Sequence, residues 1–209
     1  MSGIKYSLRQ ESTSFSIGTT NLRSSNGSLI DTNGCVALLV LSGFAVATIN
    51  FEKRILRKGD FVLLFYDSTF SMLSISAAFS VRYVSFAYHL IEEAIYKPLS
   101  INFWNTIYSN PVFRPNERDF KLLVEWWYQM EWVNNIKDYD YQEEILKNNI
   151  RNLLVATDIE IMDHAGDSLR NSRGHAWMLV NRFFRLLSSY CRETREVQFY
   201  ADKLSITST

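Results

Sequence analysis

Apolar runs separated by turn signals dominate the stretch between residues 35 and 90. The runs cover residues 36–41, 45–51, 54–57, 61–66, 72–76 and 79–88. Short strands with a turn about every 8–12 residues are typical of a β-sandwich or a small barrel. Because most runs are continuous rather than strictly alternating, we expect several strands to be buried on both faces.

The segment before these runs, residues 1–34, is rich in serine, threonine, asparagine and glycine. This composition predicts loops or a weak edge strand. Its apolar residues Phe15, Ile17 and Leu22 are the ones that we expect to fix short strands to a larger sheet.

Helical periodicity replaces the β pattern from residue 91 onwards. One helix is predicted to begin at Glu117, where Asn116 suits the N-cap and Asp119 suits the positive helix end, and to run to about residue 135. Further helices are predicted at about residues 141–163, 175–190 and 196–204. Strands followed by helices indicate an α+β fold whose C-terminal part is all helical.

Composition narrows the class of protein. Basic and acidic residues number 22 each, so the chain lacks the basic excess of a free-standing nucleic-acid binder. Two distant cysteines, Cys35 and Cys191, are too few for a disulfide-built secreted domain and are expected to be reduced. No signal-peptide pattern is present, and the most apolar stretch, residues 35–49, is shorter than the roughly 20 residues of a membrane helix. We therefore expect a cytoplasmic protein with no membrane partner.

The string at residues 195–207 carries a recognisable motif. A small residue, Ala201, lets two helices approach closely, the apolar Leu204 packs a turn, and Thr207 suits the N-cap of a following helix. The framework positions are Tyr200, Ala201, Leu204, Ile206 and Thr207. Placed after a β-rich part and a helical linker, this string resembles the first helix-turn-helix of AraC-family transcription regulators.

The resemblance implies a fold and a domain organisation. Gly43, followed by Leu56 and by Lys58-Gly59-Asp60, is similar to the cupin-like sensor barrel of that family. Residues 1–112 would form this N-terminal cupin-like β-barrel, residues 113–173 a helical linker and dimerisation region, and residues 174–209 the truncated start of a DNA-binding domain.

The implied function is effector sensing and dimerisation in a DNA-binding transcription regulator. The sequence stops at Thr209, two residues after the expected start of the recognition helix, so the base-reading side chains are missing. We expect DNA to be a partner of the full-length protein only. A non-DNA-binding cupin-like interaction module and a cupin enzyme are the alternative interpretations.

Histidine placement argues against the enzyme. Cupin metal sites use strand histidines, yet the window after Gly43 holds Ile49, Asn50 and Phe51. We therefore expect no metal, no cofactor and no catalysis.

A non-catalytic barrel still offers room for one small-molecule effector. The candidate lining residues are Asn50, Tyr66, Arg82, Tyr83, Tyr88 and His89. Five of them have a structural alternative: Arg82 can point to solvent, His89 can lie at a surface, and tyrosines often serve as core residues with a solvated hydroxyl.

The helix beginning at Glu117 carries Trp126, Trp127 and Trp132, more aromatic surface than one stripe requires. We expect a homodimer, with one face of this helix packed on the barrel and another on a second subunit. The predicted interface residues are Phe120, Leu123, Trp127 and Met130. The alternative is one wide core contact within the monomer.

Overall fold

A computed structural model describes residues 6–25, 27–168, 183, 186, 190 and 193–204. The strands are β1 (Phe15–Thr20), β2 (Cys35–Ser42), β3 (Phe44–Ile49), β4 (Glu52–Arg57), β5 (Phe61–Phe65), β6 (Phe70–Ile75), β7 (Ser80–Phe86) and β8 (Val112–Phe113). The helices are α1 (Tyr88–Ala94), α2 (Ile101–Ser109), α3 (Glu117–Val133), α4 (Tyr139–Ser168) and α5 (Val197–Leu204), with a 3₁₀ turn at Arg23–Ser25. The predicted α+β class is confirmed.

The strands form two antiparallel sheets, and this corrects the predicted barrel. One sheet has five strands in the order β1-β7-β2-β5-β8, and the other has three in the order β4-β3-β6. Within the described residues no strand is shared between the two sheets, so the barrel is not closed. The chain changes sheet between Ser42 and Phe44, and each sheet keeps its own edge strands.

Two predicted strands end earlier than expected. The run at 45–51 stops at Ile49 because Asn50 and Phe51 both have positive φ, 50° and 66°, and form the turn to β4. The run at 79–88 stops at Phe86, and Tyr88 begins α1. The edge strand expected from Phe15 and Ile17 is confirmed as β1.

A continuous apolar core lies between the sheets. Side chains alternate along a strand, so Val36 and Leu38 of β2 point to the same side. They belong to one buried cluster with Ala47 of β3 and with Phe70 and Met72 of β6. The interior face of each sheet is therefore occupied by its own apolar side chains.

The opposite face of the five-stranded sheet is covered by helices. The rings of Phe61 and Trp127 meet edge to face at 6.3 Å, and those of Phe86 and Trp126 at 6.4 Å. The Trp126 indole N–H also donates to the Asn149 carbonyl of α4, at 3.2 Å. Strands β5 and β7 are thus covered on both faces, as the continuous apolar runs predict.

Helix α3 begins where the capping pattern places it. The Asn116 side-chain oxygen accepts from the Asp119 backbone N–H at 3.0 Å, which satisfies one of the free donors at the helix start. The helix ends at Val133, close to the predicted end. Helix α4, at Tyr139–Ser168, is longer than predicted at both ends. Of the helix predicted at 175–190, the structure describes Phe183, Leu186 and Tyr190, and all three are helical.

The chain divides into two compact units. The first comprises Met1–Tyr96 and Asn105–Leu154, and the second comprises Lys97–Trp104 and Val155–Thr209. Helices α2 and α4 each have residues in both units. The predicted segments 1–112, 113–173 and 174–209 remain predictions of functional regions.

The second unit contains a buried carboxylate that holds Ser100, the residue before α2 whose hydroxyl caps the helix. Asp158 accepts from the Ser100 backbone N–H at 2.9 Å and from the Ser100 hydroxyl. The Ser100 hydroxyl oxygen in turn accepts from the Phe103 N–H at 3.1 Å. Asp158 is only 8% exposed, so these bonds compensate for the cost of burying its charge.

Candidate ligand site

Two tyrosines meet at one end of the first unit. Tyr66 follows β5 and Tyr88 begins α1. Their ring centroids are 5.2 Å apart and the ring planes are at 87°. The residues remain 54% and 40% exposed. We call this pair the aromatic corner; its rings offer a rigid, solvent-accessible contact surface.

Backbone packing fixes both members of the aromatic corner. Gly34 lies against the chain where β7 passes into α1: a Cβ at this position would overlap the Phe86 carbonyl oxygen and lie 2.9 Å from the Tyr88 nitrogen. The turn after Tyr66 is held by Thr32, whose hydroxyl donates to the Ser68 carbonyl at 2.9 Å. The loop before β2 therefore contacts the chain beside both tyrosines.

Carboxylates border the aromatic corner. The Tyr88 hydroxyl hydrogen-bonds to Glu92, one helical turn later, and this bond together with the Glu92 charge raises the pKa of Tyr88. The hydroxyl of the half-buried Tyr108 hydrogen-bonds to Asp67, the residue that follows Tyr66. Burial first, and then Asp67, raise the pKa of Tyr108 above its usual range. A carboxylate therefore lies beside each of these two hydroxyls.

Asn50 supports this region from the β3–β4 turn. Its side-chain oxygen accepts from the Thr69 N–H at 3.0 Å, and its side-chain nitrogen donates to the Tyr108 carbonyl at 2.9 Å. Both ends of the amide are thus bonded to backbone. The geometry gives Asn50 a positioning role for the segment that carries Tyr108.

His89 adjoins the aromatic corner on the surface of α1. Its Nε2 atom lies 3.2 Å from a Glu143 carboxylate oxygen, and the Ser14 hydroxyl donates to the same oxygen at 3.4 Å. One turn further, Lys147 lies 2.7 Å from Glu93, and this contact lowers the pKa of Glu93. These pairs join α1 to the first half of α4.

Arg82 and Tyr83 do not join this set of contacts. The Arg82 guanidinium lies 5.0 Å from the centre of the Tyr128 ring of α3. Tyr83 points to the other face of β7, where it packs on the core and its hydroxyl lies 3.4 Å from the Ser16 hydroxyl. Because neighbouring strand residues face opposite ways, these two cannot line one site together. A ligand role for each of the six residues remains a prediction.

The predicted interface residues of α3 are largely covered by the chain itself. Trp127 and Met130 are fully buried, while Phe120 and Leu123 are half-buried. Other apolar side chains of α3 are exposed: Leu122, Tyr128 and Trp132. The dimer interface remains a prediction.

Helix α5 contains the first half of the predicted helix-turn-helix framework. Tyr200, Ala201 and Leu204 are buried, and the Tyr200 hydroxyl donates to the Thr194 carbonyl at 2.9 Å. The helix begins at Val197, one residue after its predicted start. Ile206 and Thr207 lie outside the described residues.

Three members of the candidate site are not evident from the sequence pattern: Asp67, Glu92 and Tyr108. Asp67 reads as an ordinary turn residue. The Tyr88–Glu92 pair has helical i,i+4 spacing, which is informative only if the helix begins at Tyr88 rather than after a strand that includes it. Tyr108 is brought to the site by α2, a helix whose bounds the sequence pattern does not predict.

Within the described residues, no group of three histidine, cysteine, aspartate or glutamate side chains is arranged to hold a metal ion. None of the described helices is long and apolar enough to cross a membrane.

Solved structures of other proteins resemble this chain. An apo ToxT variant from Vibrio cholerae strain SCE256 is 14% identical, with a TM-score of 0.48 over 95% of this chain and 73% of that one. Wild-type ToxT of the same strain, with an unsaturated fatty acid bound, is 13% identical, with a TM-score of 0.43 over 96% and 89%. The AraC-like transcriptional activator CuxR is 15% identical, with a TM-score of 0.38 over 92% and 64%. No family model and no curated protein matches the chain significantly.

Proposed function

We propose that this chain is the effector-sensing and dimerisation part of an AraC-type transcription regulator. The observation that carries the proposal is the agreement between motif and geometry in α5. The motif requires Ala201 and Leu204 to face a neighbouring helix, and both are buried, beside a buried Tyr200. In this proposal DNA is bound by a form that continues past Thr209, in the cytoplasm, and a small molecule biases its conformation.

DNA binding tests this proposal. A form extended past Thr209 and the present chain are compared on DNA from upstream of the gene, by fluorescence anisotropy at several salt concentrations. We expect specific, steeply salt-dependent binding by the extended form only, because the recognition helix supplies base and phosphate contacts. An extended Ala201→Trp variant should lose binding, since a large side chain would separate the two helices. Binding by neither form would refute the assignment of residues 195–207.

A homodimer through α3 is the second part of the proposal. Leu122, Tyr128 and Trp132 fall within one third of the circumference of α3, and Trp132 is 60% exposed. Exposed aromatic and leucine side chains on one helix face are typical of a contact surface, and tryptophan often dominates the energy of such contacts. The interface would then use this surface, with Phe120 and Leu123 at its edge and Trp127 and Met130 supporting it from inside.

Sedimentation equilibrium measures this association. We expect Trp132→Ala to weaken dimerisation about tenfold or more, the usual effect of truncating an interface tryptophan. Tyr139→Ala is the matched control, because Tyr139 is 80% exposed but begins α4 instead of lying on α3. A strict monomer at high protein concentration would contradict the dimer.

An interaction module that binds no effector is the second candidate function. The observation in its favour is the apolar cluster between the sheets, in which Leu38, Phe70 and their neighbours occupy the interior. A regulator that senses a ligand would then have to bind it elsewhere, as at the aromatic corner. Effector-independent DNA binding by the extended form would favour the module.

A further inference from the structure

We propose that the aromatic corner of Tyr66 and Tyr88 binds an organic cation, a quaternary or protonated amine, with Glu92 and Asp67 supplying the opposing negative charge. This inference names a ligand class for the proposed sensing function, and its biological meaning rests on that function. Binding of the cation does not depend on that function, and it is tested separately.

Ring geometry supplies the first argument. Cations are attracted to the faces of aromatic rings, and quaternary ammonium groups are commonly bound by several aromatic rings that surround them. Tyr66 and Tyr88 stand at 87° with centroids 5.2 Å apart, and both are accessible to solvent. A ligand in the angle between them would contact both rings without any rearrangement of the backbone.

The charges around the rings supply the second argument. The Glu92 carboxylate accepts from the Tyr88 hydroxyl, and Asp67 directly follows Tyr66 and accepts from Tyr108. In the part of the chain that the structure describes, neither carboxylate takes part in an ion pair with a lysine or arginine. Their charge is therefore left to a ligand or to solvent cations, and an anionic ligand would be repelled.

Support for the rings is the third argument. Tyr88 is held by the close approach of Gly34 to the backbone at Phe86 and Tyr88, and the turn after Tyr66 is held by Thr32. Rings on a fixed backbone lose little conformational freedom on binding, which favours a preformed site.

Titration of the whole chain with tetramethylammonium chloride tests the inference, with sodium chloride at the same ionic strength as the reference. The readout is the ring resonances of ¹³C-labelled tyrosine, assigned through Tyr66→Phe and Tyr88→Phe. We expect saturable shifts of these two rings. Tyr66→Leu and Tyr88→Leu should weaken binding about tenfold, and Glu92→Gln about threefold or more, whereas the phenylalanine variants should keep most of it.

Tyr139→Leu is the control, since it removes a more exposed tyrosine ring that is remote in sequence, and it should leave the affinity unchanged. Circular dichroism of each variant shows whether the fold is retained, and the phenylalanine variants keep the test valid if a leucine variant unfolds. Absence of a saturable shift, or equal binding of sodium butyrate or glucose, would overturn the inference. If the protein binds the cation but its extended form does not bind DNA, the cation site is supported and the proposed regulator function is refuted. If the extended form binds DNA but the protein does not bind the cation, the regulator function is supported and the cation site is refuted.

Discussion

Replacing Gly34 by alanine should be one of the most damaging single-methyl changes in the first unit. Gly34 has φ of 100°, a conformation that L-residues rarely adopt. A Cβ there would overlap the Phe86 carbonyl oxygen and lie 2.8 Å from the Ala87 carbonyl carbon. All three nearest atoms belong to the backbone, so no flexible side chain can move aside.

Gly59 separates the two causes of strain. It too has positive φ, 90°, but nothing lies within 4 Å of a Cβ built on it. Gly59→Ala should therefore lower the free energy of unfolding by about 1–2 kcal/mol, the cost of placing an L-residue in the left-handed conformation. Gly34→Ala adds a displacement of packed backbone, for a total of about 4 kcal/mol or more. Against a typical stability of about 5–15 kcal/mol, this approaches loss of the fold.

Urea unfolding followed by tryptophan fluorescence measures the stability of both variants, because Trp126 and Trp127 belong to the same compact unit as the two glycines. We expect a much larger drop in the unfolding midpoint for Gly34→Ala than for Gly59→Ala. If the protein remains folded, the Tyr88 ring resonances should also shift, since the strained contact lies at its backbone. Equal losses for the two variants would refute the steric argument.

Three further outcomes are expected. Asp158→Ala should lower the free energy of unfolding by about 2–3 kcal/mol, because the amide and hydroxyl at the start of α2 lose a buried charged acceptor, whereas Asp158→Asn, which keeps one oxygen, should lose less in the same urea assay. Since its pKa is raised, Tyr88 contributes stability below the ordinary value of 10 that is lost as pH rises through the folded pKa. Absorbance titration should show one tyrosine ionising at lower pH in Glu92→Gln, and an unchanged curve would contradict the contact. In a Cys191→Ser background, Cys35 should react with a thiol reagent only after unfolding, because burial shields the thiol and raises its pKa. Fast reaction in native buffer would contradict the burial of Cys35.

The sequence determined the order of elements and most of their faces. Continuous apolar runs such as 61–66 identified a strand covered on both faces. A strand with one face in water would carry polar residues at every second position. Asn116 fixed the start of α3, since capping is a local interaction between residues three apart. The small residue Ala201 and the apolar residue Leu204, three positions later, likewise marked the buried face of α5.

Only the tertiary structure decided which strands share a sheet and which side chains share a site. Two sheets instead of a closed barrel depend on hydrogen bonds between distant strands, which periodicity does not encode. Arg82 and Tyr83 are neighbours in sequence but lie on opposite faces, whereas Tyr66 and Tyr88 are 22 positions apart by their numbering and meet ring to ring. Local patterns report what a residue prefers. A binding site is a juxtaposition of residues far apart in the chain, and packing alone brings those together.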